Sequence, residues 1–142
     1  MVADFNTMPR IFSECNRKYF NHELPNPKFG LMNKLHVLAR FKFLKDKNNK
    51  KKPLKVKEIL FSDCYDFNEE DFINLMVHEM IHYYIAWNGL KDNSEHGKVF
   101  MSIANDLNEK YGLNVTKRID TSSFFKTDNA PKYNGLLSIL FG

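Results

Sequence analysis

Cysteine is scarce in this sequence: Cys15 and Cys64 are the only two in 142 residues. Two cysteines are too few for a disulfide framework, and their separation matches neither a zinc ribbon nor a redox motif. We therefore expect both side chains to be buried, reduced thiols. A structure stabilised by several disulfides is excluded.

Long apolar runs are also missing. Nowhere do the roughly eighteen uncharged apolar residues needed to cross a bilayer follow one another, and residues 1–10 contain no continuous apolar stretch. The sequence therefore predicts a cytoplasmic protein without a signal peptide, a membrane span or a membrane partner.

The apolar content suffices for one core. Hydrophobic residues make up 43% of the chain and aromatic residues 14%. Because domains usually contain about 100 to 150 residues, we expect residues 1–142 to form a single domain.

The net charge of +4 is small, but lysine is concentrated in one stretch. Eight lysines fall between positions 42 and 57, at 42, 45, 47, 50, 51, 52, 55 and 57. Such a cluster can attract DNA by releasing its counterions, with Lys47, Lys50, Lys51, Lys52 and Lys55 as candidate contacts. It can equally be a solvated hairpin whose lysines discourage pairing between sheet edges. The sequence leaves both interpretations open.

Hydrophobic periodicity predicts an α+β order of elements. Residues 9–21 have helical spacing, and two prolines at 25 and 27 end that helix. Apolar and polar residues alternate over 35–43 and resume an extended pattern over 54–61, which predicts an antiparallel hairpin with a basic tip. A short earlier strand is predicted at residues 28–32.

Two further helices follow. Asp66 or Asn68 can cap a helix that begins near Glu69, and its apolar residues lie on nearly every face up to residue 87, which is typical of a buried helix. The next helix is predicted to start after a Ser94 cap and to end at Gly112. Beyond it, residues 114–120 are a candidate strand, and residues 122–142 a hairpin or a docked tail.

The chemistry is concentrated in the second helix, in the sequence His78-Glu79-Met80-Ile81-His82. Residues four apart lie on one helical face, so both imidazoles point the same way and can bind zinc together. Catalytic zinc keeps three protein ligands and one open position for water, and H-E-x-x-H is a known metalloprotease signature. Glu79 borders the same face and can reach that water.

His96 is the best candidate for the third ligand. It lies near the start of the third helix, after a connection short enough to fold that helix back against the second. If a carboxylate were the ligand instead, Glu95 or Asp92 would be the first to test. The remaining histidines, His22 and His36, are expected to be ordinary surface or hydrogen-bonded residues.

The stretch from Leu75 to Trp87, followed by His96-Gly97-Lys98-Val99-Phe100, resembles the SprT-like metalloprotease family. That family pairs H-E-x-x-H with a downstream H-G-x-x-F. Further similarity lies in Tyr19-Phe20-Asn21, in Leu24-Pro25 and in Ala39-Arg40-Phe41. The likeness extends over about residues 9–112.

The resemblance implies a minimal zincin-like α+β domain, with a small antiparallel sheet packed on three helices. It further implies one zinc ion held by His78, His82 and His96, with Glu79 as the catalytic acid and base. Residues 9–112 would be a Spartan-type protease core, and residues 113–142 an extension. No cysteine follows Cys64, so the four-cysteine zinc ribbon that many relatives carry, and that is associated with DNA binding, is absent from this chain.

These features favour a zinc-dependent endopeptidase that hydrolyses proteins or peptides, including proteins bound or crosslinked to DNA. One alternative is a zinc protease whose substrate is unrelated to DNA. Another is a non-enzymatic, zinc-stabilised nucleic-acid-binding module, although structural zinc needs no neighbouring base. Tyr83, Tyr84 and Tyr111 are minor candidates for stabilising an oxyanion.

Overall fold

The computed structural model describes residues 1–131. These residues form an α+β fold with three helices, as the periodicity predicts. In chain order the elements are α1 (Thr7–Tyr19), β1 (Lys28–Met32), β2 (Ala39–Lys45), β3 (Leu54–Ser62), β4 (Tyr65–Asp66), α2 (Glu69–Trp87), α3 (Lys98–Tyr111), a 3-10 turn (Thr121–Ser123) and β5 (Phe125–Lys126).

The main sheet has the strand order β1-β3-β2. The hairpin of β2 and β3 is antiparallel, as predicted, but β1 runs parallel to β3. The prediction of an antiparallel sheet was therefore wrong, and the sheet is mixed. Alternation identifies a strand without giving the direction of its partner, because the side-chain period is the same in both arrangements. β3 is central, and β2 lies at an edge of this sheet.

β2 begins four residues later than predicted. The alternating pattern starts at Leu35, but the strand starts at Ala39. His36 has a left-handed backbone with φ 67°, which is incompatible with an extended strand. Its N–H donates to the Tyr65 hydroxyl at 3.2 Å. Leu38 is buried all the same, so the apolar pattern continues through a turn.

α2 is the central helix. Asn68 is its N-cap, and the Asn68 side chain accepts a hydrogen bond from the Asp71 N–H at 2.7 Å. Gly89 follows the end of the helix with φ 63°, a conformation that glycine adopts easily. The side chains of α2 that pack into the core come from nearly every face: Phe72, Leu75, Met76, Val77, Met80, Ile81 and Tyr83. A helix that is apolar all round is thus buried, as expected.

Both cysteines are buried free thiols, which confirms the sequence prediction. Burial raises the pKa of the Cys15 thiol to about 12. Among residues 1–131, no helix combines the length and the apolar character that crossing a bilayer requires.

The chain after α3 packs back against the core. α3 ends at Tyr111 with Gly112 as its C-cap, and residues 113–120 then run without the predicted strand. The Asn108 side chain holds Val115 by two hydrogen bonds, to its carbonyl at 2.9 Å and from its N–H at 2.8 Å. These two bonds satisfy the backbone N–H and carbonyl of Val115, which therefore need no hydrogen bonds from a neighbouring strand. Further on, β5 pairs with β4; the rest of the predicted tail, residues 132–142, lies outside the described part.

Candidate metal centre and active site

Helix α2 brings His78 and His82 together. The two residues are one turn apart, and their ring centroids lie 5.1 Å from each other. Both side chains are partly buried on the face of α2 that meets α3. The helical period alone therefore supplies two of the three candidate ligands, as predicted.

His96 completes the cluster. Its Nε2 atom lies 3.1 Å from Nε2 of His78 and 3.1 Å from Nε2 of His82. Two nitrogen ligands of a tetrahedral zinc ion, each about 2.05 Å from the metal, would be separated by about 3.3 Å. The three histidines can thus hold one metal ion, and their spacing is compatible with zinc.

The protonation of the three rings also fits a cation. The Nδ1 of His78 lies 2.8 Å from the carbonyl oxygen of Thr116, so it carries the proton and leaves Nε2 with a lone pair. A proton on His96 Nε2 could point at only one of its two neighbours. A metal ion would satisfy all three nitrogens at once.

The imidazoles of His78 and His82 are held in the neutral state that metal binding requires. Burial and the neighbouring histidines lower both pKa values to about 4. Neither ring must therefore lose a proton to bind a metal at neutral pH.

Phe100 is the apolar support of the cluster. Its ring is fully buried, and its centroid lies 4.9 Å from that of His78, 4.7 Å from that of His82 and 4.9 Å from that of His96. The aromatic residue of H-G-x-x-F thus packs against all three imidazoles and restricts their rotation.

The loop before α3 positions His96. Ser94 was predicted to cap α3, but the helix begins at Lys98, and the Asp92 carboxylate accepts from the N–H groups of Val99 at 3.2 Å and Phe100 at 2.8 Å. A carboxylate reaches these first-turn N–H groups from outside the helix, which spacing along the chain does not reveal. Asp92 serves as this cap, and the candidate metal cluster of the described residues includes neither Asp92 nor Glu95.

Gly97 is required by this capping arrangement. A Cβ atom at position 97 would lie 1.9 Å from the Asn93 side-chain oxygen and 2.2 Å from an Asp92 carboxylate oxygen. Asn93 also caps the helix by accepting from the Lys98 N–H at 3.1 Å. The glycine that follows His96 therefore allows two capping side chains to approach the backbone.

Glu79 lies beside the three histidines. One of its carboxylate oxygens is 3.9 Å from Nε2 of His78, and the side chain is almost entirely buried. Burial, with a smaller contribution from Glu95, raises its pKa to about 8, although the Phe41 N–H and Arg40 act in the opposite direction. A carboxylate with this pKa can both accept and release a proton near neutral pH.

The site opens into a cleft of about 540 Å³. Edge strand β2 forms one wall, through Ala39, Phe41 and Phe43, and the end of α2 and the loop before α3 form the other. His78, Glu79, His82 and His96 all line it. A substrate that enters the cleft would meet the metal ligands and the buried carboxylate together.

The sequence model of the SprT-like family matches residues 8–119, which is most of the chain. The chain belongs to the SprT-like family. The match reaches beyond the similarity seen in the sequence by seven residues at its end, up to 119. That addition includes Thr116, whose carbonyl contacts His78. No curated protein sequence matches the chain.

In this SprT-like chain the candidate nucleic-acid contacts do not line the cleft beside the histidines. Lys47, Lys50, Lys51, Lys52 and Lys55 are all exposed at or near the tip of the β2–β3 hairpin. Asn49 shapes the tip by accepting from the N–H groups of Lys51 and Lys52. The predicted basic tip is present, and its ligand stays a prediction.

The three tyrosines that the sequence suggested for stabilising an oxyanion do not line the cleft. The Tyr83 hydroxyl donates to the Pro25 carbonyl at 2.6 Å. Tyr84 lines a separate cavity, and Tyr111 packs against Tyr19 at the surface. Tyr83 and Tyr84 follow His82 directly in the sequence, yet neither side chain lines the cleft.

Two contributors were missed by reasoning from the sequence. Thr116 acts through its backbone carbonyl, which has no sequence signature. Asn74 is buried one turn before His78 and accepts from the Asn114 N–H at 3.0 Å. A buried asparagine in an otherwise apolar helix was a usable signal, since such a group requires a hydrogen-bond partner.

Proposed function

We propose that this SprT-like protein is a zinc-dependent endopeptidase with a zincin-like active site. The observation that carries the proposal is the convergence of three Nε2 atoms beside one buried carboxylate, at the base of an open cleft. His78, His82 and His96 would hold the ion, and Glu79 would be the catalytic residue. A purely structural zinc site would need no such carboxylate and no open cleft.

Zinc, when bound, would polarise the scissile carbonyl and make the attacking water more acidic. Glu79 accepts the proton of that water as the oxygen attacks the carbonyl carbon. The same carboxyl group then donates the proton to the leaving amide nitrogen, so Glu79 ends in its starting state.

The edge strand β2 supports a peptide as substrate. β2 has a pairing partner on one side only within the described sheet, and its residues line the cleft. An extended peptide can add to such an edge through main-chain hydrogen bonds. That arrangement would lay the peptide across the histidines and Glu79.

The lysine hairpin supports a narrower proposal, that the substrates are proteins bound or crosslinked to DNA. Five exposed lysines, four in the loop between β2 and β3 and one on β3, could hold DNA on the same hairpin whose strand β2 forms a wall of the cleft. Casein cleavage with and without single-stranded DNA separates this from a protease with an unrelated substrate. Stimulation by DNA supports the narrower proposal, and equal rates count against it.

The main test compares Glu79→Gln with His96→Ala. Glu79→Gln should keep stoichiometric zinc and lose about 10²- to 10⁴-fold in casein cleavage, because only the proton carrier is changed. His96→Ala should lose both zinc and activity, since two histidines remain. Metal content is measured by mass spectrometry and cleavage by fluorescence.

Two outcomes contradict the proposal. Full proteolysis by zinc-loaded Glu79→Gln would remove Glu79 from the mechanism. An inactive wild-type protein that binds zinc and DNA would instead favour the non-enzymatic module. His22→Ala, a change of an exposed histidine outside the cluster, is the control and should leave both readouts unchanged.

A further inference from the structure

The active-site cleft continues past Glu79 into a second cavity of about 330 Å³. The two cavities share Val37, Ala39, His78 and Glu79 in their walls. They therefore adjoin at Glu79, and an extended peptide could occupy both as one groove.

The two ends of this groove differ in charge. The first cavity is lined by ionisable side chains of both signs, Arg40, Lys45, Asp92 and Glu95. The second cavity is lined by Lys117, Arg118 and His36, and Glu79 is the single acidic residue in its wall. Among residues 1–131, no carboxylate oxygen lies within 4.0 Å of the Lys117 or Arg118 side-chain nitrogens.

The two cations are carried on an anchored segment. Val115 is buried and held by Asn108, and Thr116 accepts from His78 through its carbonyl. The Thr116 hydroxyl donates to the Arg118 carbonyl at 2.8 Å, which fixes the turn that contains Lys117. The backbone that carries the two cations is therefore anchored beside the three histidines.

We propose that Lys117 and Arg118 form a cationic subsite, which favours peptides with acidic side chains on one side of the cleaved bond. This inference rests on the proposed peptidase function and adds a substrate preference to it. Both cations are exposed, so each pairing with a carboxylate should contribute about a two- to fivefold preference at low salt.

Isomeric peptides provide the test. Each carries two aspartates at one end of an apolar centre and two lysines at the other, and the isomers differ only in which end is acidic. Because their net charges are equal, a difference between the isomers cannot come from net charge alone. Binding to zinc-loaded Glu79→Gln is measured by fluorescence anisotropy, and cleavage by the wild type as kcat/KM.

One isomer should bind and be cleaved about threefold to tenfold better than the other. Lys117→Glu with Arg118→Glu should abolish or reverse this preference. The matched control is Arg17→Glu with Lys18→Glu, an exposed Arg-Lys pair at the end of α1 that makes the same charge change outside the groove.

Equal or absent binding of the two isomers overturns the subsite, as does a preference that survives Lys117→Glu with Arg118→Glu. Failure of the enzyme proposal gives a different result. In that case the binding preference and its reversal remain, while the wild type cleaves neither isomer.

Discussion

The histidine cluster and the lysine hairpin are both built from residues close together in the sequence, yet they define a ligand to different degrees. In the cluster, the Nε2 atoms of His78 and His82 each lie 3.1 Å from Nε2 of His96, and the three rings are partly buried. In the hairpin, five ammonium groups are exposed on long side chains. A converging set of imidazole nitrogens defines a site for a single metal ion, whereas a solvated lysine cluster attracts polyanions in general.

The largest expected difference between the two regions is in how stability depends on pH. The pKa of Glu79 is raised from 4.5 to about 8 in the folded protein. Its contribution to stability is therefore full below pH 4.5 and is lost as pH rises through 8. Metal-free wild type should lose stability relative to metal-free Glu79→Gln over this interval, by on the order of a few kcal/mol.

Urea unfolding at several pH values, with chelator present, measures this difference. Lys50→Gln with Lys51→Gln and Lys52→Gln serves as the comparison, because these side chains are exposed in the folded chain. The free energy of unfolding of that variant should change with pH in the same way as that of the wild type. If the difference in free energy of unfolding between wild type and Glu79→Gln stayed constant from pH 5 to 9, it would contradict the buried environment of Glu79.

A smaller effect is expected from Asn108→Ala, which removes the two hydrogen bonds that hold Val115. The Thr116 carbonyl would then no longer be fixed against Nδ1 of His78. Groups that orient a metal-binding histidine usually contribute about 10- to 100-fold to metal affinity. Competition with a fluorescent chelator measures the zinc affinity.

Asn105→Ala is the matched control, since Asn105 is an exposed asparagine on the same helix. General destabilisation by Asn108→Ala can be separated from the proposed effect by nitrogen-15 NMR of the histidines. The Nδ1–H form of His78 should lose population in the variant. Unchanged zinc affinity together with an unchanged tautomer would show that the ring does not depend on this bond.

The smallest expected effect concerns the hairpin. Lys50→Glu with Lys51→Glu and Lys52→Glu should weaken binding of single-stranded DNA and flatten its dependence on salt, while zinc affinity stays the same. Electrophoretic mobility at several salt concentrations measures this change. If DNA binding at low salt is unaffected, the lysines serve only to keep the sheet edge solvated.

Much of this fold was predictable because its elements have clear periodicity. The limits of α2, the short strand β1 and the β2–β3 hairpin follow from local patterns and from Asn68, Asn88 and Gly89. The direction of β1 and the start of β2 did not follow. Parallel and antiparallel partners give the same alternation, and the positive φ of His36 is fixed by its contact with Tyr65.

The sequence by itself determined which residues the candidate site contains: two histidines and a glutamate on one helix, with a third histidine after a short connection. Helical geometry makes that juxtaposition a local property. Only the tertiary structure decided how the site is supported and what surrounds it. The Thr116 carbonyl, the Asp92 cap and the cationic end of the groove come from segments that meet only after the chain has folded, and their interactions depend on backbone positions that no short pattern encodes.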